Sequence, residues 1–265
     1  MSHTRVALAA LCAAALLTAP AIAEDLTLVF KTTGPGSSGT STQYYSSEKM
    51  RTTDGESETI VEYAPGRIVS IDHKKKEYSE ITLAEMETAM NAAAAKMEQA
   101  NAQMQQQMAS LPPAMRQKME QMTGGVASSV TVTKGDTRQV AGYTCQDYTM
   151  AMGQTMITKL CATTALQFPA PNVDYRKFAS FAGAGAAMAN NPIFKGMGKL
   201  ADEMKKIEGL TIAEATSVKV MGRSTDSSKE AVEIKKGAIA ASVFDVAELT
   251  KGYKKVPHPV TKMSK

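Results

Sequence analysis

The chain lacks tryptophan, and aromatic residues make up only 5% of it. Surfaces that bind sugars or stack on bases are rich in aromatic rings, so this scarcity argues against both. The excess of positive over negative charge is also small. The formal net charge is +4 over 265 residues, which is too low to predict nucleic-acid binding. Glycine-rich phosphate loops and the HExxH and GxSxG motifs are absent. The sequence therefore predicts no enzyme, no cofactor and no nucleic-acid partner.

Long apolar runs are scarce as well, and the one at the N-terminus has a specific form. Arg5 precedes an apolar segment from Val6 to Leu17, and Ala21-Ile22-Ala23 forms a small-x-small site before Glu24. This pattern is typical of a secretory signal peptide, and the run is too short to span a bilayer. We expect cleavage between Ala23 and Glu24, which removes residues 1–23. The mature chain, 24–265, is predicted to be one periplasmic domain with no transmembrane segment.

Cysteine is nearly absent from the predicted mature chain, which keeps only Cys145 and Cys161. In an oxidising compartment a disulfide is their default state. If TCQDYTM and TMITKLCA form a hairpin centred on Gly153, the two cysteines lie directly opposite each other, and Asp147 lies opposite Lys159. The spacing does not fit a CxxC redox motif, and the two remaining histidines are too few for a zinc site. We interpret the pair as a disulfide that staples a hairpin, with no metal site.

What the sequence has in abundance is methionine, alanine and glutamine, between Leu83 and Leu111. That segment contains neither glycine nor proline, and apolar residues recur every three or four positions. The spacing predicts a long amphipathic helix, within a helical insertion over 83–122. A second helical segment is predicted over 173–208. The methionine stripe is interpreted as a packing face, while pairing with a partner helix and Cu(I) binding through thioethers remain open.

Most of the remaining sequence has the two-residue period of strands. LTLVFKT alternates Leu26, Leu28 and Phe30 with more polar positions, and several short segments rich in valine, isoleucine and threonine follow it. The triplet at 135–137, Gly-Asp-Thr, is read as a turn, and ASVFDV near the C-terminus as a strand. These patterns predict an α+β fold: a curved antiparallel half-barrel sheet with helices packed on one face.

Four segments carry a family resemblance. They are YYSSEKMR (Tyr44–Arg51), IVSIDHKKKEYSEIT (Ile68–Thr82), VAGYTCQDY (Val140–Tyr148) and SVFDVAELTKGYKKV (Ser242–Val256). In this order they resemble a family of exported bacterial proteins known only as a domain of unknown function. That family is similar in strand order to the lipoprotein-carrier half-barrel. The resemblance implies a hydrophobic cleft that could hold an acyl chain, and it transfers no catalytic residue.

These observations predict a periplasmic, non-enzymatic protein that binds a lipid-like or hydrophobic ligand or an envelope partner. One alternative is oligomerisation or partner binding through the Met/Gln-rich helix, as in a coiled coil. Another is Cu(I) binding by the same methionines. The candidate hydrophobic face takes side chains from that helix and from the apolar side of the cysteine hairpin: Met86, Met90, Met97, Met104, Met108, Tyr148, Met150, Met156 and Leu160.

Overall fold

Twelve strands form one open, curved sheet in the computed structural model, which describes residues 24–35, 38–64, 66–109, 130–153, 156–170, 202–220 and 223–263. In chain order the strands are β1 (Leu26–Thr33), β2 (Gly39–Tyr45), β3 (Lys49–Thr53), β4 (Ser57–Glu62), β5 (Arg67–Asp72), β6 (Glu77–Thr82), β7 (Val130–Val140), β8 (Tyr143–Met152), β9 (Met156–Thr163), β10 (Leu210–Val220), β11 (Arg223–Lys236) and β12 (Lys254–Lys255). Their spatial order is β12-β6-β5-β4-β3-β2-β1-β11-β10-β9-β8-β7. The predicted signal peptide lies outside the described residues, as does most of 173–208.

The first six strands form an antiparallel meander, as the sequence predicts. Their turns are fixed by local polar contacts. Between β3 and β4, the backbone N–H groups of Glu56 and Ser57 donate to Asp54 Oδ1 at 2.9 and 2.7 Å. These hydrogen bonds, led by the one from Ser57, hold the pKa of Asp54 below its ordinary value. Gly55, at φ 87°, supplies the left-handed residue that this turn requires.

The predicted turn at 135–137 is wrong. Those residues lie inside β7, where the register with β8 shifts between Lys134 and Thr137. The chain reverses instead at Ala141 and Gly142, both at positive φ (49° and 83°), a combination typical of a two-residue hairpin turn. Glycine followed by aspartate therefore marks a β-bulge here, a local kink that bends the strand and increases its twist.

The disulfide between Cys145 and Cys161 is confirmed, but the predicted hairpin register is wrong by two residues. Asp147, not Cys145, lies directly opposite Cys161, and Lys159 lies opposite Thr149. The connection runs from Met152 to Met156 and is therefore three residues long, which moves the hairpin centre past Gly153. The two cysteines still form a bond because their Cα atoms are 5.4 Å apart, within the range that a disulfide spans.

The main hydrophobic core lies where β1 meets its neighbours. Leu26, Leu28 and Phe30 are the buried residues of β1, as their alternation predicts. Both cysteines join the same core cluster, at 0–1% exposure. The segment after β9 closes it, since the ring of Phe168 packs edge-on against Tyr45 at 5.0 Å between centroids. The disulfide therefore stabilises the fold from within the core rather than at the surface.

The C-terminal segment crosses the sheet as short helices, so the predicted ASVFDV strand is wrong. Ala241–Phe244 forms a 3₁₀ turn, and α2 (Val246–Leu249) follows it. The reason is local, because the Asp245 carboxylate caps α2 by accepting the N–H groups of Ala247 and Glu248. Residues of this segment pack on Ile60, Val69 and Ile71 of β4 and β5: Val246, Leu249 and Tyr253. β12 then pairs in parallel with β6, which makes the sheet mixed.

Helix α1 (Leu83–Ala109) begins with the reciprocal hydrogen bonds of a capping box. The N–H of Glu85 donates to Thr82 Oγ1 at 3.2 Å, while the N–H of Thr82 donates to Glu85 Oε2 at 2.8 Å. Met86 and Ala89 are buried, and the helix contacts β6 and the C-terminal α3 (Pro259–Met263). Residues 110–122 of the predicted insertion lie outside the described residues. No helix within the described ranges has the length and apolar character needed to cross a bilayer.

The nearly buried carboxylate of Glu62 makes the stability of the sheet sensitive to acid. Arg67 Nε lies 2.7 Å and Lys49 Nζ 3.0 Å from its oxygens. The hydrogen bond from Arg67, followed by the one from Lys49, holds the pKa of Glu62 below its ordinary value of about 4.3. A carboxylate with a lowered pKa stabilises the folded state above that ordinary value, and the contribution is lost as pH falls through the folded pKa.

We therefore expect Glu62→Gln to destabilise the protein at pH 7 and to lose most of this effect in acid. The difference between the urea midpoints of wild type and variant should narrow from pH 5 downwards as Glu62 takes up a proton. Circular dichroism of both proteins at pH 7 and pH 3.5 measures this difference. An equal gap at both pH values would contradict the assignment of acid sensitivity to Glu62.

Candidate functional site

The sheet curls strongly between β7 and β11, as the contacts of Arg138 on β7 show. Its Nε lies 3.0 Å from Asp147 Oδ1 on β8, and its Nη1 lies 3.0 Å from Glu230 Oε2 on β11. β7 and β11 are four strands apart, which is about 19 Å in a flat sheet at the usual spacing between neighbours. No side chain spans that distance, so β7 must approach β11 across the intervening strands.

The face enclosed by this curl, the inner face, is defined by two rows of directly paired residues. The first row runs through Lys31, Glu230, Ala213, Cys161 and Asp147. The second runs through Thr33, Ser228, Ala215, Lys159 and Thr149. Nine of these ten residues line a groove of about 580 Å³, whereas Cys161 is fully buried and does not line it. We call this cavity the inner groove; Arg138 contributes to its lining from β7.

A second chamber of about 330 Å³ continues the inner groove towards the tip of the β10–β11 hairpin. The two cavities share Thr33, Lys159, Ala215 and Ser228, so they form one elongated space. The small side chains of Ala213 and Ala215 on β10 leave this space open, since longer side chains at these positions would fill it. Because the two chambers adjoin along the strands, they suit a ligand that extends from one into the other.

Two exposed apolar side chains lie in this elongated space. Val232 is 56% exposed and lines the inner groove, while Ile157 is 41% exposed and lines the second chamber. Among the described residues, only one other large hydrophobic side chain, Met204, is as open to solvent. Apolar surface that is left uncovered in a concave site is typical of a ligand pocket.

Charge in the inner groove is mixed, and its ion pairs are incomplete. Arg138 is shared between Asp147 and Glu230. Lys31 lies directly opposite Glu230 in the strand register, but neither Lys31 nor Lys159 makes an ion pair within the described ranges. The groove therefore combines two available cations, several hydroxyl groups and two apolar contacts.

The predicted hydrophobic face does not form one site in the described residues. Tyr148, Met150 and Leu160 pack in a small core with Val132 and Ala162. Met156 lies on β9, the same strand as Leu160, and is half-buried. Met86 is buried under α1 beside β6, and seven strands lie between β6 and β9 in the sheet. The side chains of Met90, Met97, Met104 and Met108 lie outside the described residues.

Sequence reasoning missed a polar network that the structure brings together from three of the family-like segments. Glu58 Oε1 lies 2.7 Å from Arg51 Nη2 and 2.9 Å from His73 Nε2, and His73 Nδ1 lies 2.7 Å from the Tyr253 hydroxyl. Arg51 Nη1 also donates to the carbonyl oxygen of Val243 at 2.7 Å. Glu58 is buried, and both ends of the network hold the C-terminal segment on β3–β5. Its role is therefore to clasp that segment to the sheet.

The disulfide leaves neither cysteine free to bind a metal. Within the described residues, no group of three or more histidine, cysteine, aspartate or glutamate side chains is arranged to hold a metal ion. The Cu(I) hypothesis depends on methionine side chains that lie outside the described residues, so it stays a prediction.

Comparison with known proteins finds loose structural likeness only. No protein family and no curated protein sequence matches this chain. An uncharacterised conserved protein from Thermus thermophilus aligns with 89% of this chain and 92% of its own at TM-score 0.42 and 6% identity. PNGF-II aligns with 91% of this chain at TM-score 0.41 and 9% identity, and MucB, from the Pseudomonas aeruginosa MucA/MucB complex, with 84% at 0.39 and 9%.

The chain spans about a third of the PNGF-II chain and about half of the MucB chain. Because every one of these TM-scores is below 0.5, the likenesses carry no argument about the function of this chain. The expected kinship with an exported family and with the lipoprotein-carrier half-barrel therefore stays a prediction.

Proposed function

We propose that this chain is an exported, non-enzymatic binding protein, and that the inner groove is its ligand site. The carrying observation is that two of the three exposed large apolar side chains of the described residues, Ile157 and Val232, line one elongated cavity. Such a cavity fits a ligand with an extended apolar part, which agrees with the lipid-like ligand expected from the sequence. The sequence pattern of residues 1–23 and the disulfide both support a periplasmic location.

The direct test is native mass spectrometry of the protein purified from the periplasm, followed by denaturation. We expect a bound small molecule that is released when the chain unfolds. Dansyl-undecanoic acid serves as a probe of the emptied protein, because its fluorescence rises in an apolar site. A native mass equal to that of the protein alone, together with no fluorescence response to the probe, would overturn the proposal.

Filling the groove should abolish binding without disturbing the fold. Ala215 is exposed and lines both chambers, so Ala215→Trp places an indole in the shared space. We expect a loss of probe affinity of at least about tenfold, the loss expected when a ligand's apolar contacts are blocked. Thr225→Trp, at an exposed position of β11 that alternates with Asp226 and is not part of the lining, is the matched control and should bind like wild type. Equal affinity of the two variants would place the ligand elsewhere.

A further inference from the structure

Glu230 occupies a particular place in the inner groove. It lies directly opposite Lys31 on the neighbouring strand, and its Oε2 lies 3.0 Å from Arg138 Nη1. The two walls of the curl each bring one cation to this position: Arg138 as the ion-pair partner of Glu230, and Lys31 as its neighbour across the strand pair. A carboxylate of a bound ligand would find the same two partners there.

Arg138 has a second carboxylate partner besides Glu230. Its Nε is held by Asp147 Oδ1 at 3.0 Å, and Asp147 is on the adjoining strand β8. Within the described residues, Nη2 of Arg138 makes no hydrogen bond. Of the two nitrogens Nη1 and Nη2, only Nη1 therefore has a partner among these residues. The planar fork of arginine matches a carboxylate at two points, whereas Glu230 uses one.

The contact between Arg138 and Glu230 is also easy to replace. The two side chains are 41% and 56% exposed, and ion pairs this open to water contribute little to stability. A ligand that places its own carboxylate in the groove therefore exchanges a weak, solvated contact for a two-point contact next to Lys31. The cost of releasing Glu230 to water is small, because it is already more than half exposed.

We propose that Glu230 is an internal stand-in for the anionic end of the ligand, which takes its place on Arg138 and Lys31. This inference rests on the proposed function and adds the ligand class: an elongated molecule with an apolar chain and a terminal carboxylate. The chain lies along Ala213 and Ala215 towards Ile157, and the carboxylate lies at the Arg138 end of the groove.

The test compares dansyl-undecanoic acid with its methyl ester, which has the same chain and no charge. Glu230→Gln removes the competing carboxylate. We therefore expect this variant to bind the acid about tenfold more tightly than wild type, and to bind the ester with the same affinity as wild type. Arg138→Gln should lower the affinity for the acid by about the same factor and leave the affinity for the ester unchanged. The gain from Glu230→Gln should vanish in the double variant, because it acts through Arg138.

Glu233→Gln is the matched control, since Glu233 lies on the same strand, is exposed, pairs with Lys235 and lies outside the groove lining. It makes the same change in net charge and should leave the affinity for both probes as in wild type. If acid and ester bind equally well and Glu230→Gln changes neither, the stand-in role is overturned while the groove remains a ligand site. If neither probe binds any of the proteins, the proposed function fails as well.

Discussion

Replacing Glu58 by glutamine is expected to lower the free energy of unfolding by about 3 kcal/mol, the cost typical of breaking a buried ion pair by removing one partner. Glu58 has a side chain only 5% exposed, and Arg51, its partner at 2.7 Å, is 14% exposed. The variant leaves the guanidinium buried beside a neutral amide. It also weakens the hold of His73 on Tyr253, so the C-terminal segment loosens from the sheet. Urea unfolding followed by circular dichroism measures the loss.

The same hairpin supplies a matched control. Glu56 pairs with Lys74 at 2.7 Å, but both side chains are well over half exposed. Glu56→Gln removes the same charge two residues away and should change stability by no more than about 0.5 kcal/mol, because exposed pairs contribute little. If the two variants unfold at the same urea concentration, the network is not the clasp described above.

Removing the disulfide is the second substitution with a large expected effect. The double variant Cys145→Ala/Cys161→Ala should lose about 3 kcal/mol, since the bond closes a loop of 16 residues in sequence separation and lies in the main core. Two smaller side chains at these buried positions add a packing loss. Urea unfolding of wild type with and without reductant provides the comparison.

Reduction should lower the urea midpoint of wild type to nearly that of the double variant, whereas the midpoint of the double variant should not change with reductant. The exported wild type should show no free thiol in its native state. A wild-type midpoint that reductant leaves unchanged would contradict a stabilising role for the bond.

The local part of the fold follows from the sequence wherever one face of a strand is buried. The alternation of Leu26, Leu28 and Phe30 correctly predicts β1, because the period of side chains is the period of the strand. The hairpin register did not follow from the cysteines. A disulfide also forms between residues that are two positions out of register, so the pair identifies the hairpin without setting its centre. The bulge in β7 was missed for a similar reason, since glycine next to aspartate is common in both turns and bulges.

The candidate site was predictable only in part, because its geometry comes from contacts far apart in the chain. Arg138 and Glu230 are 92 residues apart, and Arg51 reaches a carbonyl group 192 residues away. Local periodicity carries no information about such pairs. The sequence directs attention to the apolar side of the cysteine hairpin, where Tyr148 and Leu160 turn out to be core residues. The inner groove is lined mainly by the residues that alternate with them, Asp147, Thr149 and Lys159, although Tyr148 also contributes to its lining.

Photo-crosslinking with a diazirine analogue of dansyl-undecanoic acid tests the central claim most directly, because it locates the ligand on the chain. The account predicts labelled peptides from β9, β10 and β11, at or next to Ile157, Ala215 and Val232, and a loss of labelling in Ala215→Trp. Excess unlabelled acid should compete. Labelling confined to α1, or to peptides around Tyr253 and β4–β6, would contradict the assignment of the inner groove as the binding site.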